Sequence, residues 1–402
     1  MKSLLSLISV LLCFAAIQIK AQDGDTINYD KSLIAADTAI TDTTIQKSSS
    51  LKIVFAGDIM GHDAQIEGAW VDSIKKFNYE PTFSHIADYI SAADIAVGNL
   101  EVTLAGPPYK GYPQFSSPDE LAIAAKNAGF DIMVMANNHA LDRGTPGFKR
   151  TLNVLDSLEI LHTGTFLNDS IRNLFYPLIV EQNNIRLAIL NYTYGTNGLK
   201  IPSPYIINRI DTALIRKDLQ KAMLAHPDIT IVTIHWGIEY ERNENKTQQV
   251  LAHFILNNGA DAIIGSHPHV IQPIKNVIYN TNDSGNTRPV FYSLGNFVSN
   301  QRAQFKDGGI VAELVLSKND STTRIDSVAY LPYWVYREDE NEKSTFYVLP
   351  VQKYENDTSL FDFDDNNKWR FNRFVNDTRT HLSGFSESNF YTIKKSEGIK
   401  NE

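Results

Sequence analysis

From Leu51 to about Asn300 the chain repeats one pattern: a short apolar run, a polar tip, then an amphipathic stretch. Leu51 to Ala56 predicts a buried strand ending at Gly57-Asp58. Thr82 to Ala93 has helical spacing, with Phe83, Ile86, Tyr89 and Ile90 on one face. Ile95 to Val97 predicts a strand ending at Asn99 and Glu101. Ser117, Pro118 and Glu120 then read as N-cap, first helical position and capping-box partner, and Gly129 closes that helix. Asp131 to Ala136 predicts a third strand, ending at Asn138-His139, with a helix over 146–159 behind it.

The second half continues in kind. Leu174 to Val180 and Ile185 to Leu190 predict a hairpin around Gln182-Asn183-Asn184. A helix over 211–225 precedes a strand over 229–234 that ends at His235-Trp236. A helix over 248–258 precedes a strand over 262–265 that ends at His267. Val290 to Leu294 leads to Gly295-Asn296-Phe297. Strands then dominate, over 310–316, 327–336 and 346–351, and the polar, aromatic last fifty residues fit no pattern. Strands alternating with helices imply parallel βαβ units, and the late strands imply a second layer. The expected fold class is α/β, a four-layer α/β/β/α domain.

The tips share a chemistry. Asp, Glu, Asn and His are oxygen and nitrogen donors, the ligand set of a hard or borderline metal ion. Singly, each has an ordinary reading. Asp58 caps a turn or ligates, and His62 is a ligand or a polar loop residue. Glu101 begins a loop or bridges two ions. Asn138-His139 makes a turn or a site, and Asp142 either orients His139 or caps the next helix. His235 is a core histidine or a ligand. His267-Pro268-His269 is harder to dismiss, because the proline fixes a backbone that can aim two imidazoles into one site. Five tips at carboxyl ends of predicted strands converge on one crevice and favour a metal centre.

Composition narrows the class. The chain has 402 residues, 43% of them apolar, which suits a sizeable core. A formal charge of −9 with no long basic run argues against nucleic acid as a partner. Met1 to Ala21 reads as a secretory signal peptide, with Lys2, an apolar stretch from Leu4 to Ile17, and Ala21 before a cut. Export to the periplasm, cell envelope or exterior is expected, with an uncleaved N-terminal tether as the alternative. The single cysteine, Cys13, lies inside that leader, so no disulfide or thiolate ligand is expected beyond it. Residues 22–50, rich in Asp, Thr and Ser, read as a disordered spacer. The folded domain is expected over 51–340, with 341–402 as an extension packed on or flanking it.

The stretches Gly57-Asp58-Ile-Met60, Gly98-Asn-Leu-Glu101, Ala136-Asn-Asn-His139-Ala-Leu-Asp142-Arg-Gly144, His235-Trp-Gly-Ile-Glu239-Tyr240, Gly265-Ser-His267-Pro-His269-Val-Ile-Gln272 and Ser293-Leu-Gly-Asn296-Phe297 resemble the capsule-synthesis CapA (poly-gamma-glutamate biosynthesis) family. That family is similar in turn to calcineurin-like metallophosphoesterases. The resemblance implies a metallophosphoesterase-type sandwich with two divalent ions, drawn from Mn, Zn, Fe or Mg. It implies Asp58 and His269 on the first ion, Glu101 as bridge, and Asn138, His235 and His267 on the second. His139 would be the proton donor or oxyanion stabiliser, with Asp142 orienting it. Two positions depart from the wider phosphoesterase pattern: Met60 stands where a histidine would, and a glutamate, Glu101, replaces an aspartate-type bridge. The first ion is thereby left one ligand short, with His62 as a nearby substitute.

The implied activity is metal-dependent hydrolysis at a phosphoester-like centre. Two ions would neutralise charge developing on the substrate. The implied partners are an anionic polymer or phosphoester substrate and membrane-bound polymer-synthesis machinery. The alternative is a weakly catalytic or non-catalytic envelope factor for assembling, exporting or anchoring a polymer. Glu239 and Tyr240 are expected to support His235. Segments 109–115 and 192–194 line the substrate or simply pack.

Overall fold

The computed structural model describes residues 17–20, 26–29, 48–278, 287–320, 322–340, 342–356, 361 and 363–391. Strands Ile17–Lys20 and Thr26–Tyr29 pair antiparallel in a unit separate from the main one. The rest of the expected signal peptide and most of the expected spacer lie outside the described residues. Among the described residues, no helix is long and apolar enough to cross a membrane.

The main unit holds two large sheets. In chain order the strands are β1 (Ser49–Ile59), β2 (Ile95–Leu100), β3 (Ile132–Val134), β4 (Leu161–Thr163), β5 (Leu178–Gln182), β6 (Ile185–Thr193), β7 (Ile229–His235) and β8 (Ala262–Ser266). They continue with β9 (Ile274–Ile278), β10 (Thr287–Phe291), β11 (Asn296–Val298), β12 (Gly308–Asn319), β13 (Thr322–Glu340), β14 (Lys343–Pro350) and β15 (Ser386–Glu387). The first sheet runs β14-β13-β12-β1-β2-β3-β4, with β11 also on β1 and β15 also on β13. The second runs β5-β6-β7-β8-β10-β9. Both have a parallel centre, β1-β2-β3-β4 in one and β6-β7-β8-β10 in the other.

Alternation along β1 explains the layering. Leu51, Ile53 and Phe55 face a core shared with Leu187, Ile189, Ile231 and Ile264 of the second sheet. Val54 and Ala56 face the opposite way, into a core with helices α1 (Asp63–Ala69), α2 (Glu120–Asn127) and α3 (Gly144–Ser157). Beyond the second sheet, α4 (Thr212–Leu224) and α5 (Lys246–Asn257) bury Ile215, Leu219, Leu251 and Ile255. The Tyr192 hydroxyl of β6 donates to Asp218 of α4 at 2.9 Å. The result is the expected α/β/β/α sandwich.

Four details differ from the reading of the sequence. The late strands do not form the second sheet. They extend the first, with Ala312 opposite Phe55, because Ile310, Ala312, Leu314 and Leu316 present the same face as β1 to the shared core. The helix expected from Thr82 to Ala93 is split into Glu80–Phe83 and Ala87–Ser91, where tighter turns bond Ile86 to Phe83 and Tyr89 to Ile86. Leu174 lies in the helix Asp169–Phe175, capped by Asn168, so the hairpin begins only at Leu178. Ser117 does not cap α2: its N–H donates to Thr103, and Asp119 holds the cap position. The unplaced C-terminal region contains α6 (Asp365–His381), which inserts Phe371, Phe374 and Val375 into the shared core.

Candidate metal centre

The parallel strands of both sheets end at one edge, and their tips meet there. Gly57 makes the closest approach possible: a Cβ on it would lie 2.0 Å from the Gly295 carbonyl oxygen. With none, Asp58 N–H donates to that carbonyl at 3.1 Å and its side chain turns into the crevice. Asp58 and Glu101 are both 0% exposed.

Two trios of donors each lie within 4.8 Å: Asp58, Glu101 and His235, and Glu101, His267 and His269. Glu101 belongs to both. Its position suits a bridge. His269 also reaches Asp58, its Nδ1 3.1 Å from Oδ2, and the His235 and His267 rings are 4.8 Å apart. Asn138 adjoins the first trio, its Oδ1 at 2.7 Å from His235 Nε2. His139 stands beside it, its Nδ1 2.7 Å from Asp142 Oδ2. The Phe115 N–H also donates to that oxygen, at 2.8 Å, and the Phe115 ring meets the imidazole edge-on at 4.7 Å.

His62 joins neither trio. Its backbone N–H donates to Gln65 Oε1 at 2.9 Å, and its Nδ1 accepts the Asn300 N–H at 3.3 Å. Burial holds its pKa down to about 4. Met60 is buried in the helix-side core, where a histidine would be misplaced. Tyr240 supports the histidine loop and not His235: its N–H donates to the Pro268 carbonyl at 2.8 Å. Glu239 bonds the Tyr240 side chain at the rim. Of the two segments read as substrate loops, Tyr192 is a core residue, while Tyr194 and Tyr112 are 40% and 68% exposed.

Electrostatics indicate what the crevice suits. Burial and then the charge of Asp58 push the Glu101 carboxyl well above its ordinary range. Burial also works to raise Asp58, but the hydrogen bond from His269, aided by the adjacent His269 and His235 imidazoles and by Asn99, outweighs it and keeps Asp58 low. Burial lowers His235 to about 3 and drives His267 down too, so both imidazoles are neutral donors. His269 Nδ1 lies 3.1 Å from Asp58 Oδ2 and 3.0 Å from Asn296 Oδ1, both acceptors. Nδ1 therefore carries a proton, and Nε2 is the nitrogen on the Glu101 side, 3.9 Å from Oε1. Both Glu101 oxygens and His267 Nδ1 are buried without a hydrogen-bond partner. His235 Nε2 lies 3.3 Å from Glu101 Oε1 but is directed at Asn138. Unpartnered buried carboxylate oxygens are costly, and a cation would satisfy them. Donor separations of 2.7 to 3.3 Å are those that ligands of one ion adopt when its bonds are about 2.0–2.2 Å. The residues fit divalent metal.

The pattern of the bacterial capsule synthesis protein PGA_cap family matches residues 52–301, a span that contains every donor named above. The chain belongs to this family. It is similar to PGA biosynthesis protein CapA of Bacillus subtilis (strain 168), 29% identical over 340 residues, 79% of this chain and 84% of that one. It is 28% identical over 294 residues to capsule biosynthesis protein CapA of Bacillus anthracis, covering 68% of this chain and 66% of that relative. A solved structure similar to it is the calcineurin-like phosphoesterase YfkN from Bacillus subtilis, with a TM-score of 0.42 at 13% identity, covering 84% of this chain and 100% of that one. Another is the NAD nucleotidase of Haemophilus influenzae, with a TM-score of 0.47 at 13% identity, covering 83% and 61% of the two chains.

Three residues of this PGA_cap crevice escaped a role in the sequence reading. Asn99 donates to Asp58 Oδ1 at 2.7 Å and so holds that carboxylate in place. Asn296, another strand-end tip, holds His269 and follows the same apolar-run pattern, which marked its position. Asn191, inside β6, accepts the N–H groups of Met135 and Ala136 at 3.1 and 2.6 Å, tying the second sheet to the loop that carries Asn138. Nothing in local spacing marked it, because its partners come from another sheet.

Proposed function

We propose that this PGA_cap protein is an exported, metal-dependent hydrolase of phosphoester-like bonds, working in capsule-polymer biosynthesis. One observation carries the hydrolase reading: Glu101 is fully buried and common to both donor trios, with neither side-chain oxygen given a hydrogen-bond donor. Asp58, Glu101, His235, His267 and His269, with Asn138 beside them, would hold the ions. When bound, the ions supply positive charge that stabilises the negative charge developing at the ester.

The chain's own residues supply the proton. Asp142 accepts from His139 Nδ1–H, which fixes the ring and leaves Nε2 as the working nitrogen. Attack by water forms a new P–O bond and breaks the ester P–O bond. With both ring nitrogens protonated, His139 would give its Nε2 proton to the leaving oxygen, and the proton lost by the attacking water would return to Nε2, so the step balances. Phe115 keeps bulk water from the Asp142 side of the ring. Family membership and the CapA relatives support the polymer context, and the leader pattern of residues 1–21 supports export.

The test is metal content of the purified chain together with p-nitrophenyl phosphate hydrolysis with and without Mn²⁺ or Zn²⁺. Close to two ions per chain and metal-dependent turnover that vanishes in His267→Ala support the reading. Bound metal without turnover on any ester would favour the envelope factor, and absence of bound metal would remove the hydrolase.

A further inference from the structure

We propose that Asn197 is a positioning residue that sets which end of the Asn138 amide faces the metal centre. The proposal rests on the metal reading above. An asparagine amide has two unlike ends: Oδ1 offers lone pairs to a cation, whereas Nδ2 offers only protons. The two ends differ little in shape, so packing alone does not choose between them. Asn138 is buried, with Oδ1 toward His235 Nε2 at 2.7 Å and Nδ2 donating to Asn197 Oδ1 at 3.1 Å. Asn197 therefore holds the amide in its ligating orientation from behind.

Asn197 lies on the 193–199 loop, which contributes no member of either donor trio yet touches the centre repeatedly. The Tyr194 N–H donates to the His235 carbonyl at 3.0 Å. The Tyr194 ring lies 4.5 Å from that of His267, and its hydroxyl reaches Asn197 Oδ1 at 3.5 Å. Within the loop, the Thr193 hydroxyl bonds the Gly195 carbonyl at 3.1 Å and the Thr196 hydroxyl bonds the Leu199 carbonyl at 2.6 Å. Asn197 and Gly198 have φ of 49° and 77°, left-handed conformations that Asn and Gly adopt most readily. The loop follows β6 of the second sheet, while Asn138 follows β3 of the first. It is thus a clasp through which one sheet orients a donor of the other. Asn197 itself is solvent-exposed, so replacing it opens no core cavity.

The experiment uses the full chain and Mn²⁺ as probe, in equilibrium dialysis of the wild type, Asn197→Ala and Asn197→Asp, with thermal midpoints of the metal-free proteins. Alanine removes the acceptor; aspartate keeps one. The expected result is Mn²⁺ binding weakened about 10- to 100-fold in Asn197→Ala, the usual cost of losing a residue that orients a ligand. Asn197→Asp is expected to bind as tightly as the wild type or tighter, and both midpoints to stay within about 2 °C, as for exposed substitutions. Wild-type affinity in Asn197→Ala would overturn the proposal while leaving the metal centre intact, as would equal weakening in Asn197→Asp. Absence of Mn²⁺ uptake by the wild type would overturn the metal centre and this proposal together.

Discussion

The two sheets present their donors in different ways. Asp58 and Glu101 of the first stand at or next to the ends of β1 and β2, with backbone N–H groups bonded to Gly295 and Ile59 carbonyls. His267 and His269 of the second stand on a loop beyond β8, at φ of 99° and 57°. Non-glycine residues held there cost about 1–3 kcal/mol each and persist only where the surroundings dictate them. Here the surroundings are Tyr240 N–H on the Pro268 carbonyl and Asn296 on the His269 ring. The first sheet thus contributes charge on unstrained strand ends. The second contributes imidazoles: His235 from the end of β7, and His267 and His269 from a backbone held in a conformation the chain would otherwise leave. Ligand charge and ligand placement are divided between the layers.

The strongest way to break that division is Glu101→Gln, which removes the charge common to both trios. It should abolish uptake of both ions and all metal-dependent turnover. The metal-stripped variant should be at least as stable to urea as the stripped wild type, because a buried carboxylate without donors is gone. Retention of two ions would show that the histidines alone define the site.

Next is His139→Ala, which leaves every member of the trios in place. Turnover of p-nitrophenyl phosphate should fall by about 10²- to 10⁴-fold, the range for a lost general acid, with ion content unchanged. Loss of ions in this variant would place His139 among the ligands.

A pH series on metal-free protein separates the layers further. His235 falls from 6.5 in the unfolded chain to about 3 in the folded one, so its contribution is whole above pH 6.5. As pH falls from 6.5 toward 3, the unfolded chain takes the proton first and that stability is lost. His267 acts in the same direction. Glu101 opposes them, since its raised folded value favours the native state as pH falls toward 4.5. Urea midpoints should therefore drop below pH 6.5, less steeply in His235→Asn and more steeply in Glu101→Gln. The smallest effect belongs to Pro268→Ala. Freeing the unfolded loop should cost about 0.4–1 kcal/mol of stability and weaken ion binding only a few-fold, with turnover at saturating metal preserved.

Much of this was legible in the chain because strand ends are marked twice, by an apolar run and by a polar residue that stops it. Asp58, Glu101, Asn138, His235 and His267 all carry both marks, and the structure gathers them at one edge. What was not legible depends on which layer an element joins. The alternation of Ile310, Ala312 and Leu314 discloses a buried face but not the sheet it belongs to, so the late strands were assigned to the wrong layer. Residues Asn191 and Asn197 act on backbone or side chains more than fifty positions away, beyond the reach of any local period. Helix α6 hid behind its charge: Arg370 and Arg373 turn toward buried Asp307, and its apolar stripe is only Phe371, Phe374 and Val375.

The most direct measurement is anomalous diffraction from crystals of the full chain grown with Mn²⁺. The account predicts two peaks, both within about 2.0–2.3 Å of Glu101 oxygens, with His235, His267 and His269 completing the two shells. A crevice without a peak at Glu101, under conditions where the protein hydrolyses an aryl phosphate, would contradict it.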